Sequence, residues 1–390
     1  MQTWKLGLAL GILIFILPIG FSLSGTLDSI GPSVETVPNS SPAGLVGPPL
    51  IDSADTELRD QIEKTWRVRS GGILRIVNPR GKIRVRGWQL DQVRVTAERI
   101  FKDRGLAKDK GLIESTDVSF RESRNVLELT ANYALNLPLL EKIDEDLDPL
   151  VTIDLDVRAP SNLVLEIWSK DSSVQIDDWN QRVNVRSNSG SIDMQEIIGS
   201  EVGITCSLCK ITLSKIKAAL RVFGGGGDIT ISEVDTDLLS VSSTNGNMNL
   251  SDISGRQLYH SQDGHIAGRA LRGEISFRTV TGSAEFDRCG GSVSGYSRDG
   301  KVRVDLDRWK TDVGAFIETK NSDIEILLPQ DLLAQFEVNS KDGRVLSDFQ
   351  SSTVDPSHYQ LIQRRRERNA PLFQVDSQQG NISIRKRAGS

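Results

Sequence analysis

Cysteine is almost missing from this chain, with three in 390 residues, at Cys206, Cys209 and Cys289. So few cannot form a disulfide framework, so a packed apolar core has to hold the fold together. Aromatic residues make up 5% of the chain, which leaves little ring surface for stacking on sugars. An excess of positive charge is also missing: the formal net charge is -5, and nucleic acid is thereby excluded as a default partner, because phosphate binding needs Lys and Arg gathered on one face. With three histidines, His260, His265 and His358, a histidine-based metal site has little to draw on, and a His pair with no matching carboxylates is a weak metal signal.

What is present divides the chain into five stretches. Residues 1–24 read as an export signal or a membrane anchor, with Lys5 at the charged end and Leu6 to Phe21 as a nearly unbroken apolar run. Ser22 and Ser24 offer small residues for cleavage, whereas the run is just long enough to stay in the membrane, so both outcomes stay open. No cysteine follows the run, which excludes a lipid-modified N-terminal cysteine. Residues 25–64 begin as a Ser-, Pro- and Gly-rich tether. They end in "DSADTELRDQIEKT" (Asp52–Thr65), where good helix formers behind a capping Asp or Ser predict a short helix. Residues 65–160 alternate apolar and polar positions and are expected to form an N-terminal β region, with strands including Val118–Phe120 and Val126–Leu129. Residues 161–348 carry repeats, and residues 349–390 a basic loop with closing strands.

The repeats decide the fold class. The unit is apolar, any, apolar, any, Ser/Thr, two of any, Gly, any, apolar, any, apolar, as in "LSVSSTNGNMNL" (Leu239–Leu250) and "ISFRTVTGSAEF" (Ile275–Phe286), and it recurs about every 18 residues. Its glycine slot falls at Gly81, Ser172, Gly190, Cys209, Gly227, Gly246, Gly264, Gly282, Gly300, Ser322, Gly343 and Gly380. Glycine there predicts a tight turn with positive φ. A further apolar residue follows at Trp179, Ile197, Ile216, Val234, Ile253, Leu271 and Cys289. Each unit then has three sides, two strands and a short closing segment. A single unit buries too little apolar surface to offset the ordering of its backbone, so units must stack. Propeller blades need a longer period, and leucine-rich repeats need a Leu and Asn pattern that is missing here. The expectation is an all-β, single-stranded parallel β-helix of 18–19 residues per coil, with right-handed connections and a β-rich N-terminal cap. The long step between Gly343 and Gly380, which contains Pro356 and the arginine cluster, predicts a loop.

Three segments carry a resemblance. "EKTWRVRSGGILRIVNPRGKIRVRGWQLDQVRV", "VTIDLDVRAPSNLVLEIWSKDSSVQI" and "LFQVDSQQGNISIRK" are similar to the opening, the strand-Pro-strand junction and the closing strands of the bacterial "putative adhesin" β-strand-repeat family, a domain of unknown function. The likeness spans roughly Glu63 to Lys386. It implies an exported or surface-exposed bacterial β-solenoid without enzyme activity. The chain departs from the family at Cys209, where glycine is usual, and in long loops after Lys102 and Phe349.

Candidate chemistry is thin. Hydroxyl residues ahead of the glycine slot (Ser169, Ser187, Ser243, Ser261, Thr279, Ser297, Thr319, Ser340 and Ser377) have no accompanying base and are expected to bond the turn backbone. Cys206-x-x-Cys209 leaves a local disulfide or two free thiols open. Zinc or a bond to Cys289 is disfavoured, since Cys289 falls four repeats away, roughly 19 Å at the strand spacing. "GGGGD" at Gly224–Asp228 appears once, too few times for a calcium-binding array. The outward row after the slot (Ser191, Lys210, Asp228, Asn247, His265, Ser283, Lys301, Asp323) and the next (Asp193 to Glu325) gather no carboxylate pair of the kind polysaccharide-cleaving β-helices use. Arg364, Arg365, Arg366 and Arg368 form an anionic-partner patch or a solvated loop. No catalytic, cofactor or metal residue is assigned.

The expectation is therefore a non-enzymatic, exported envelope or surface protein of the adhesin or interaction-scaffold kind. It would sit in the periplasm, at the cell surface or anchored facing outward, with a protein or glycan partner, no cofactor and no nucleic acid. If the N-terminal segment is retained, the membrane is a partner too. The alternatives are a membrane-anchored accessory of envelope-stress signalling and, third, a carbohydrate-active β-helix enzyme.

Overall fold

The structure is a computed structural model that describes residues 56–103, 116–133, 151–308, 313–330, 332–349, 354–355, 359–363 and 370–387. The chain divides into two units, residues 1–52 and 53–390, and every described residue belongs to the second. The export or anchor segment, most of the tether, and the arginine cluster at 364–368 lie outside the described residues. Among the described residues the structure is all-β with no helix.

The N-terminal region is built on β2 (Ile73–Trp88), after β1 (Thr56–Arg67) has crossed the edge. β1 pairs antiparallel with β3 (Gln92–Asp103), and β3 in turn pairs antiparallel with β6 (Val151–Pro160). β4 (Asp117–Ser123) and β5 (Val126–Asn132) form an antiparallel pair, and β5 and β6 run parallel to the first and second halves of β2. The short helix expected over Asp52–Thr65 is therefore corrected. From Thr56 onward the segment is strand, in register with β3 from Thr56↔Asp103 to Arg67↔Gln92. Leu58, Ile62 and Trp66 are spaced by four, which suits a helical stripe and also the even parity of a strand. The open edge of β3 decides between them, and Ile62 and Trp66 pack against the core.

From β2 onward the pairing becomes parallel. β2 runs beside β7 (Val164–Trp179) with Gly81 opposite Ser172, and β7 beside β8 (Val183–Gly224) with Ser172 opposite Gly190. β8 is followed by β9 (Ile229–Ser243), β10 (Met248–Ser261), β11 (Ile266–Arg269), β12 (Arg272–Thr279) and β13 (Ala284–Ser297). Each pairs parallel with the equivalent stretch of the next repeat, as in Ile229↔Met248, Met248↔Ile266 and Ile266↔Ala284. The closing segment is laddered as well, with Ile253 opposite Val234.

Two turn geometries follow, and one corrects the sequence reading. Positive φ occurs at slot residues Gly81, Gly190 and Gly227, but not at Gly246, Gly264, Gly282, Gly300, Gly343 or Gly380. At Gly246 the constraint is contact instead: a Cβ would fall 1.9 Å from the carbonyl oxygen of Gly227 one repeat earlier. The recurrent left-handed residue lies at the other corner, at Asp178, Glu196, Lys215, Glu233, Asp252, Ala270 and Arg288. Each immediately precedes the buried apolar residue of the closing segment, Trp179 through Cys289. Two of the seven are Asp, which tolerates left-handed backbone, but Glu196, Lys215, Glu233, Ala270 and Arg288 give no hint of it in the sequence.

The C-terminal end departs from sequence order. β14 (Val302–Arg308), β15 (Val313–Thr319) and β16 (Ile324–Leu328) continue the ladder. The next partners of β15 and β16 are not β17 (Gln335–Ser340) and β18 (Val345–Ser347) but the last strands, β21 (Leu372–Ser377) and β22 (Ile382–Lys386). β17 and β18 pair on the far side of β21 and β22. Between them in sequence, β19 (Val354–Asp355) and β20 (Tyr359–Gln363) run antiparallel to each other, and β20 covers the open edge of β17. The step from Gly343 to Gly380, expected as a loop, thus contains β19 and β20 between the ladder strands β18 and β21. The slots Ser322, Gly343 and Gly380 stack as 322, 380, 343, because an interior of apolar side chains accepts any repeat whose inward pattern matches. Phe336 and Phe373 meet there at 5.4 Å between ring centroids.

Candidate functional site

The hydroxyl row lies at the turns, and most of its members bond there, whereas Thr279 Oγ1 is buried without a partner among the described residues. The Gly246 N–H donates to Ser243 Oγ at 2.9 Å, Ser261 Oγ donates to the Gly264 carbonyl at 2.6 Å, and Ser297 Oγ both donates to and accepts from Gly300. Thr319 Oγ1 donates to the Ser322 carbonyl at 2.8 Å and lies 3.1 Å from Ser377 Oγ. These are buried hydroxyls whose hydrogen-bonding capacity goes to neighbouring backbone. Where the row changes to cysteine, Cys206 and Cys209 form a disulfide across the turn, with Cα atoms 5.7 Å apart. Cys289 is free and buried, and loss of solvation pushes its thiol up to about 12, so it is a poor nucleophile at neutral pH.

The outward row after the slot forms a ladder that sequence reasoning had not resolved. Asp228 accepts the Asn247 N–H at 3.1 Å, Asn247 Oδ1 accepts the His265 N–H at 3.0 Å, and His265 Nδ1 accepts the Ser283 N–H at 3.2 Å. Asp323 and Asn381 repeat the arrangement, accepting the N–H of Asn381 and Arg344 at 2.7 and 3.0 Å. Each side chain holds the backbone of the next repeat, a structural role. His260 and His265 flank one turn and share no partner, since His260 stands in register with Ser242 and Arg278. His358 lies outside the described residues. Among those residues no group of three or more His, Cys, Asp or Glu is gathered closely enough to hold a metal ion. Trp168 lies beneath the Arg75 guanidinium at 5.0 Å and Tyr296 beneath that of Arg278 at 5.5 Å.

A concavity lies at the second corner, where a left-handed residue and a glycine recur in three successive repeats and a fourth repeat borders them. It spans Ser251–Gly255, Arg269–Glu274, Arg288–Ser292 and Asp307–Arg308 and has a volume of about 1010 Å³. Gly255, Gly273 and Gly291 stand in register with φ of +116°, +113° and +123°. A Cβ at Gly273 would fall 2.2 Å from the Gly255 carbonyl oxygen. Close packing of backbone on backbone thus demands glycine, and the result is a floor without side chains. Arg269, Arg272, Arg288 and Arg308 rise beside it. Arg272 and Arg308 face each other across Gly290, which is in register with both. Glycine recurs in the sequence two residues after the closing apolar residue at Ile253, Leu271 and Cys289, but that spacing alone does not bring the arginines together.

A family model described as Toastrack DUF4097 matches residues 113–385. No curated protein matches the sequence. Among solved structures, a "putative adhesin" from Parabacteroides distasonis is 11% identical, over 84% of this chain and 97% of that one, with a TM-score of 0.29. A "putative cell adhesion protein" from Clostridium sporogenes is 9% identical over 85% and 100%, with a TM-score of 0.24. A "putative lipid binding protein" from Parabacteroides distasonis is 8% identical over 84% and 97%, with a TM-score of 0.21.

Proposed function

Because the chain belongs to the Toastrack DUF4097 family, whose model spans residues 113–385, we propose that it is an exported, non-enzymatic protein of the bacterial envelope whose repeats present a binding surface to a protein or glycan partner. In this reading its paired stretches wind as a single-stranded parallel β-helix of 18–19 residues per coil. The observation that carries the reading is the parallel register, in which equivalent residues of successive repeats stand side by side from Gly81↔Ser172 to Ala284↔Val302. Such a ladder turns each outward sequence position into a straight file of side chains, a surface suited to an extended partner. Export is supported by Lys5 with the apolar run Leu6–Phe21 and by the Cys206–Cys209 bond, a feature of oxidising compartments. A binding rather than catalytic role is supported by the hydroxyl row, in which Ser261, Ser297 and Thr319 are tied up in turn backbone.

The test is to follow the full chain in its own cells. N-terminal sequencing and protease accessibility on intact cells report compartment and cleavage, while deletion of the gene is scored for adhesion and envelope integrity. An outward-facing chain whose loss weakens either property supports the proposal; a cytosolic chain, or a deletion without effect on both, refutes it. A start near Gly25 identifies a released form. Retention of residues 1–24 identifies an anchored one, which suits the signalling-accessory alternative.

A further inference from the structure

We infer that the glycine-floored groove at the second corner binds an extended anionic glycan-type polymer, carrying carboxylate or phosphate groups, gripped by Arg272 and Arg308 with Arg269 beside them. The inference rests on the reading of the protein as an envelope binding surface and gives that surface a ligand class.

Three observations lead to it. The first is unused charge. The guanidinium groups of Arg269, Arg272 and Arg308 form no ion pair or hydrogen bond among the described residues, whereas several other arginines of the ladder are paired, Arg75 with Glu166 at 2.9 Å and Arg387 with Asp307 at 3.0 Å. The carboxylates lining the groove are Asp252, Glu274 and Asp307. Two are already engaged from outside it, Glu274 by Arg256 at 3.6 Å and Asp307 by Arg387. Arg288 is held by its neighbour Asp287 at 3.5 Å. Three cations therefore remain against one free carboxylate, Asp252, and planar guanidiniums suit bidentate contact with carboxylate, sulfate or phosphate.

The second observation is spacing. Arg272 and Arg308 lie on either side of Gly290 in the parallel ladder, two strand spacings or roughly 10 Å apart. Gly290 places no side chain between them: a Cβ built there would be in ordinary contact with the Arg308 carbonyl oxygen at 3.4 Å, Arg308 Cβ at 3.8 Å and Arg272 Cγ at 3.9 Å, so the two arginine stems border the glycine directly. A polymer lying along the groove meets one guanidinium, a bare stretch, and then the next. That pattern fits an extended chain whose anionic groups, or every second one of them, come round to the same side at about that spacing.

The third is what lines the groove besides arginine. Ser251 and Ser292 supply hydroxyls for sugar hydroxyls, Ser254 Oγ donating instead to Asp235 at 2.8 Å, and the lining has no aromatic ring. Sequence-tolerant binding of single-stranded nucleic acid relies on such rings for base stacking. A tight protein interface would be anchored by buried aromatic or aliphatic side chains, for which the glycine floor has no equivalent.

The test measures binding of the full chain to polygalacturonate, polyglycerol phosphate, neutral dextran and single-stranded DNA at low and high salt. Retention of polygalacturonate or polyglycerol phosphate, but not dextran, with loss at high salt is expected, and the two acidic polymers separate a carboxylate from a phosphate ligand. R272Q/R308Q should weaken that binding about tenfold or more, given the usual worth of charge-assisted hydrogen bonds. G290E leaves both arginines in place and introduces a like charge to the ligand; it should weaken binding as well. The control R221Q/R278Q, on another face, should leave it unchanged. Equal binding of dextran, stronger binding of DNA than of either acidic polymer, or full binding by R272Q/R308Q would overturn the inference. The wider proposal has its own readout: a chain facing outward that supports adhesion but ignores both acidic polymers refutes the groove ligand alone.

Discussion

Asp177 illustrates what the environment does to one side chain. It is half-buried on the outer face of β7, and loss of solvation, followed by the nearby Asp193 carboxylate, raises its pKa above the ordinary value. A carboxyl that titrates higher in the folded than in the unfolded chain contributes most to stability below the unfolded value, and that contribution is lost as pH rises through the folded one. Asp177→Asn should therefore melt higher than the parent at neutral pH, by about 1–2 °C given its partial exposure. The difference should vanish in acid below the carboxylate range, and an unchanged or lower neutral melting temperature would contradict it. The cysteines give a second residue-scale test. Unfolded without reductant, the chain should titrate one thiol, and after reduction three, because Cys206 and Cys209 are bonded and Cys289 is free. In the folded protein none should react, with Cys289 buried and its thiol raised to about 12. Sequence could place the pair at one turn but could not choose between bonded and free thiols, since that depends on the turn's backbone geometry.

At the scale of the strand, large interior residues are matched by glycine in the neighbouring repeat. Gly295 of β13 stands opposite Phe277 of β12, and a Cβ there would fall 2.1 Å from the Phe277 ring. Gly268 makes room for Phe286 in the same way, and Gly314 for Phe373. Adding one methyl group in Gly295→Ala should cost about 1–3 kcal/mol by overpacking. Combining it with Phe277→Leu should recover part of that loss, a coupling readable in a denaturation double-mutant cycle. Additive losses would mean the ring and the glycine do not share space. The alternating pattern identified which positions point inward, and Ile229, Ile231, Met248 and Leu250 are indeed buried. It did not pair Phe277 with Gly295, since volume matching acts between neighbours across the ladder. Asp52–Thr65 reads as helix in the sequence for a related reason: from Thr56 onward the backbone state is set by the edge of β3 rather than by local propensities.

The whole repeat unit depends on its last residues in a way linear order conceals. β21 and β22 separate β15 and β16 from β17 and β18, so truncation after Asn369 removes an inner rung rather than an end. Hydrogen exchange of the truncated chain should show protection lost in β15 to β18 and retained in β8 to β10, where nearest-neighbour contacts are untouched. Undiminished protection in β17 would disprove the insertion. The groove was likewise invisible in sequence order, since Arg272, Gly290 and Arg308 converge only through register. What the amino-acid sequence determined alone was local and periodic: the repeat length, the inward parity, the turn positions and the all-β class, each following from the two-residue alternation of strands and from glycine at crowded turns. The tertiary structure alone decided the order of the C-terminal rungs, the left-handed corners at charged residues and the gathering of unpaired arginines over a glycine floor. Those features arise from which stretch lies next to which, and repeats with the same inward pattern leave that choice to packing.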